Sequence, residues 1–128
     1  MSCHEGAGNI TMHAVGLNIE EEKISVIEEG GTSINITSIE YDEKRQFLII
    51  NLNEHLKAGK NYILNIYYTG QITSDIRGIF WSSYKDLNTN QKEFLVATQF
   101  EATHARRAFP CFDEPAMKAY FKVSTITV

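Results

Sequence analysis

Cysteine and proline are both rare in this chain, with two of each in 128 residues. Two cysteines are too few for a disulfide framework, and Cys3 and Cys111 could bridge only if the fold brought the two ends of the chain together. So few prolines, with only eight glycines, argue against a disordered or repetitive chain. Positive charge is short as well. The net charge is -4 and no basic block is present to neutralise a run of phosphates, which argues against nucleic acid as a partner. No apolar stretch approaches the roughly 20 residues that a membrane-spanning helix needs. The opening residues, Met1 to Gly6, have neither the basic end nor the apolar stretch of a secretory signal.

What is present points to strands. Tyr, Phe, Ile and Thr are plentiful, and the hydrophobic fraction of 43% suits one soluble globular domain. The dominant period is two. Ile34 and Ile36 alternate with Ser33, Asn35 and Thr37, as one buried and one solvated face require. Gln46 to Leu52 is a short apolar run without helical spacing. Tyr62, Leu64, Ile66 and Tyr68 fall on one side of a strand. Phe80 to Tyr84 and Phe94 to Ala97 are further short strands. Ala119 to Val128 reads as a long one, with a change of parity near Ser124-Thr125 that predicts a bulge or bend. Turn residues separate these runs at Glu29-Gly30-Gly31, Asp42-Glu43-Lys44, Lys57-Ala58-Gly59-Lys60 and Asn88-Thr89-Asn90. The fold predicted is all-β, an antiparallel sandwich. Its one helical turn spans Thr103 to Phe109, with Thr103 as its cap. Two N-x-[ST] sequons, at Asn9 and Asn35, would be open to glycosylation in an exported protein.

The stretch from Ala97 to Phe121 differs from the rest. It crowds arginines, acids, both prolines, a cysteine and several aromatics between two strands. Pro110 and Pro115 restrict the backbone on either side of Cys111, Phe112, Asp113 and Glu114. Phe109 and Phe112 can anchor the segment to a core, and Arg106 or Arg107 can reach Asp113 or Glu114 in a charge-assisted pair. Cys111, between a proline and a phenylalanine with no evident base, reads as a buried and inert thiol. All of this describes a rigid inter-strand corner.

The same stretch resembles, almost residue for residue, the T-Q-F-E-x-T-x-A-R-x-A-F-P-C-F-D-E-P-x-x-K-A-x-F pattern of the aminopeptidase N family of zinc aminopeptidases. The match is strong over Thr98 to Phe121. Fainter steps occur at Tyr68-Thr69-Gly70 and Arg77-Gly78-Ile79-Phe80. The resemblance implies a saddle-like amino-terminal β-domain that precedes and covers a catalytic zinc domain, with residues 1–128 forming part of that β-domain. It implies that Glu101 receives the free amine of a peptide substrate, with Gln99 as a neighbouring contact. A carboxylate facing an ammonium selects peptides by their amino terminus and needs no catalytic pKa. The likeness also implies an extracellular or plasma-membrane setting, although cytoplasmic relatives share the motif.

The catalytic machinery itself is not expected here. An H-E-x-x-H helix is missing: the one His-Glu pair, His4-Glu5, has Gly8 where the second histidine would stand. The G-x-M-E-N loop is missing too. His13, His55 and His104 show no ligand spacing and read as ordinary core or surface histidines. The expectation is therefore a domain without a metal of its own, whose zinc lies in the catalytic domain acting in cis. The alternative is a non-catalytic β-sandwich that serves as a binding or receptor module.

Overall fold

The computed structural model describes residues 1–126. Ten strands and two 3-10 turns account for its regular structure, and every pairing between strands is antiparallel. Strands β1 (Ala7–His13), β6 (Phe47–Leu56) and β5 (Ile36–Asp42) form one sheet in that order. A second holds β4 (Ser33–Ile34), β3 (Ser25–Glu28) and β7 (Tyr62–Asn65). Two ribbons complete the set: β2 (Leu17–Ile19) with β8 (Tyr68–Gly70), and β9 (Gly78–Lys85) with β10 (Lys92–Gln99).

The alternating pattern does its work in the two three-stranded sheets. Leu48, Ile50 and Leu52 project from one face of β6 and are buried with Ile10 and Met12 of β1. Val26, Ile34 and Tyr62 from the second sheet join the same cluster. The core is thus the filling of a small sandwich. Burying each such side chain stabilises the fold by about 1.5–3 kcal/mol. Tyr62 satisfies its hydroxyl by accepting the Lys57 N–H at 2.8 Å, so its ring can be almost wholly buried.

Three expectations change. Tyr62, Leu64 and Ile66 point inward, but Tyr68 begins a separate strand and is exposed. The chain leaves the sheet after Asn65, which breaks the shared face. Residues 119–126 form no strand: Phe121, Val123 and Ile126 stand exposed. An alternating segment stays a strand only against a neighbouring edge, and none of the described residues pairs with it. The end of that expected strand, Thr127 and Val128, lies outside the described residues. The bulges occur elsewhere, where the register shifts between Ala7 and Asn9 and between Ile36 and Ser38.

Candidate functional site

The helical turn is shorter than expected and differently capped. It is a 3-10 turn over Ala105–Arg107, entered through His104 with no side-chain cap. Thr103 has φ +65°, the left-handed region, whereas a helix cap needs extended backbone. Thr103 therefore closes the preceding turn instead of opening the helical one.

The corner is built around Arg106, which is buried. Its Nε donates to Asp113 Oδ2 at 2.8 Å, Nη2 to the Asp113 carbonyl at 3.2 Å, and Nη1 to Gln46 Oε1 at 2.9 Å. A buried guanidinium is tolerable only when its donors are satisfied in this way. Arg107 does not reach Asp113. Its Cβ instead faces the backbone of Gly78 at the base of β9. Phe112 packs against the core, and Phe109 stacks edge-on with Phe100 at 5.9 Å. Glu114 and Pro115 are exposed, with Pro110 half-buried.

The corner is fastened to β1 by two reciprocal backbone bonds. The His13 N–H donates to the Cys111 carbonyl at 2.8 Å, and the Cys111 N–H returns to the His13 carbonyl at 3.0 Å. The buried ring of His13 accepts the Asp113 N–H at Nδ1 (3.3 Å). That acceptor role leaves Nε2 to carry the proton, and it lies 3.7 Å from a Glu114 carboxylate oxygen. Burial, then the Arg106 charge, holds the His13 pKa below its ordinary value. Burial and the nearby Asp113 push the Cys111 thiol up to about 11, so it stays protonated and unreactive at neutral pH. Cys3 and Cys111 are both free thiols.

Glu101 lies between the hairpin and the corner. It follows β10 in the turn 100–104, and its peptide bond to Ala102 is cis. The Gln99 side-chain amide donates to the Glu101 carbonyl at 3.0 Å, and the His104 N–H donates to the Phe100 carbonyl at 2.9 Å. The Glu101 carboxylate is exposed and has no hydrogen bond or ion pair among the described residues. It contrasts with Asp113 on Arg106 and with Asp75, paired to Arg77 at 2.6 Å. A mostly apolar groove of about 860 Å³ lies elsewhere, between Leu64, Phe112 and Phe121.

Residues 1–128 match the peptidase M1 N-terminal domain. The chain belongs to that family. It is 36% identical over 124 residues to the human thyrotropin-releasing hormone-degrading ectoenzyme, covering 97% of this chain and 11% of that protein. It is 38% identical over 120 residues to the puromycin-sensitive aminopeptidase of Caenorhabditis elegans, covering 94% and 12%. With dog aminopeptidase N the identity is 33% over 129 residues, covering 98% and 13%. The chain thus spans 11% to 13% of the length of these relatives. As an M1 amino-terminal domain it belongs with aminopeptidases, which are metalloproteases at the family level.

The described residues do not fit a zinc ion. No group of three or more His, Cys, Asp or Glu stands close enough to hold a metal. His13 has spent Nδ1 on a backbone N–H. Among the described residues no helix is long and apolar enough to cross a membrane. Residue patterns mark Gly78 only as a faint step of the family likeness and give no sign of the part His13 and Gln46 play in the corner. These contacts join residues far apart in sequence.

Proposed function

We propose that this domain works within a zinc metalloaminopeptidase, where it supplies the carboxylate of Glu101 to the free amino terminus of a peptide substrate. The observation that carries the reading is the unpaired state of Glu101 on a turn that is otherwise held by hydrogen bonds. An acid fixed by its backbone and left without a counter-charge is ready to receive a substrate ammonium. The backbone share of its ordering cost is met before the peptide arrives. Gln99 serves beside it as a neighbouring contact. The zinc and the hydrolytic groups belong to a catalytic domain acting in cis, and this chain on its own turns nothing over. The ectoenzyme name of one relative and the exposed sequon asparagines Asn9 and Asn35 support an extracellular or plasma-membrane setting.

The test is kinetic and uses the aminopeptidase that carries this domain. Glu101→Ala should lower kcat/KM for a free-amine substrate by about ten- to a hundred-fold, the worth of one charge-assisted hydrogen bond. KM should rise, and kcat should fall to the extent that the anchor aligns the scissile bond. Glu101→Gln should lose less, since it keeps an acceptor. Zinc content should be unchanged in both. A kcat/KM within twofold of the parent would return Glu101 to the class of solvated loop acids.

A further inference from the structure

Gly78 opens β9 directly opposite Gln99, the last residue of β10, and there the hairpin meets the second 3-10 turn. Gly78 is buried with φ +76°, a conformation that side chains other than glycine's rarely adopt. Space excludes a side chain independently. A Cβ at this position would lie 2.7 Å from the Arg107 Cβ, 3.4 Å from the Arg107 carbonyl carbon and 3.5 Å from the His104 carbonyl oxygen. Backbone and the root of a side chain cannot rotate away, so the 3-10 turn itself would have to move.

Between these two contacts runs the turn that carries Glu101. It leaves β10 at Gln99, across from Gly78. It re-enters the 3-10 turn at His104, whose carbonyl lies against the same glycine. One glycine therefore holds both ends of residues 100–104. Inside the turn, the Gln99 amide on the Glu101 carbonyl and the His104 N–H on the Phe100 carbonyl pass that placement on to Glu101.

We propose that Gly78 is a positioning residue for Glu101. The missing side chain seats the 3-10 turn against the hairpin base, and that contact sets where the Glu101 carboxylate meets the substrate amine. The inference rests on the amine-anchor reading above, and its test separates the two. In the aminopeptidase carrying this domain, Gly78→Ala should raise KM for a free-amine substrate about ten-fold, since a misplacement near 1 Å can cost more than that. Affinity for an analogue lacking the amine, and metal content, should stay unchanged. A merely structural glycine would not split the two ligands. Adding Arg107→Gly to Gly78→Ala reopens the space and should restore the share of the loss that the clash causes, while the backbone strain at φ +76° remains. In a Glu101→Ala background, Gly78→Ala should add nothing to KM.

If Glu101→Ala leaves kcat/KM within twofold of the parent, the anchor reading falls on its own. If Glu101→Ala is impaired but Gly78→Ala keeps its KM within twofold, the positioning role is overturned while the anchor stands. Should Gly78→Ala yield no folded enzyme, Arg107→Gly alone decides. Loosening the contact should raise KM about threefold by the same misplacement, and an unchanged KM rejects the proposal.

Discussion

The two-sheet body and the β9–β10 arm are built from the same kind of antiparallel strand, yet they treat their apolar side chains in opposite ways. In β6 the apolar residues at alternate positions share one face, and Leu48 and Ile50 are completely buried. In the arm, Trp81, Phe94 and Val96 share one face while Tyr84 and Leu95 share the other, by the register of the pair. All five are exposed, Phe94 at 64%. A two-stranded ribbon cannot cover both of its own faces, and apolar patches of this kind mark interaction surfaces. A strand sequence thus states which faces must be covered and leaves open what covers them. Under the proposed function the catalytic domain is that cover, and the arm is the element that presents Glu101 to it.

The corner between these regions is where the comparison can be broken most sharply. Arg106 belongs to the body, because its guanidinium is buried and each of its three nitrogens donates a hydrogen bond. Arg106→Ala leaves Asp113 without its partner and should cost about 3 kcal/mol of unfolding free energy, read from the urea midpoint of the chain. A loss below about 1 kcal/mol, the ordinary worth of an exposed pair, would place the corner with the exposed arm.

A smaller effect should appear on acidification. His13 is faced by Arg106 from the 3-10 turn, Asp113 and Glu114 from the corner, and Phe47 from β6 at 4.9 Å. Its folded pKa lies below the ordinary 6.5, so the unfolded chain takes up the proton first as pH falls. Stability tied to the neutral ring is complete above about 6.5 and is lost progressively below it, by at most about 1.4 kcal/mol per pH unit for one proton. Unfolding at about pH 7.5 and about pH 5.5, for the parent chain and His13→Gln, isolates this contribution. Equal pH slopes in the two proteins would show that the imidazole does not couple to the fold.

These contrasts explain which parts were legible from residues alone. Ile34 and Ile36 both turn inward, as their alternation predicts, but they belong to two strands, β4 and β5, of different sheets, and the break at Asn35 left no mark on the pattern. The Arg106–Asp113 pair was foreseen as one of several, since two arginines and two acids left the choice to geometry. At Thr103 the sequence shows capping chemistry but not the backbone angle, which is set by the turn joining β10 to the corner. Residues 119–126 carry a strand pattern that has no neighbouring edge to pair with. His13 has no ligand spacing in the sequence, and Gly78 stands there only as a faint step of the family likeness, with nothing to tie it to the site. A histidine 98 positions before the cysteine it bridges leaves no local trace, and neither does a glycine pressed against Arg107.

The smallest effect expected is in the arm itself. Phe94 touches Trp81 edge-on at 5.9 Å, and the Lys92 ammonium lies 5.1 Å from its ring centre, but most of its surface faces solvent. Exposed contacts of this kind contribute about 0.2–1 kcal/mol relative to small residues. Phe94→Ser should therefore shift the urea midpoint of the chain by no more than the equivalent of about 1 kcal/mol. A buried residue of β6, such as Ile50, should instead cost about 2–5 kcal/mol on truncation to alanine. The two numbers, measured side by side, test the division into body and arm. A loss above about 2 kcal/mol at Phe94 would mean that the arm packs against its own chain in solution. Its aromatic face would then be part of the core, and no docking partner would be needed to account for it.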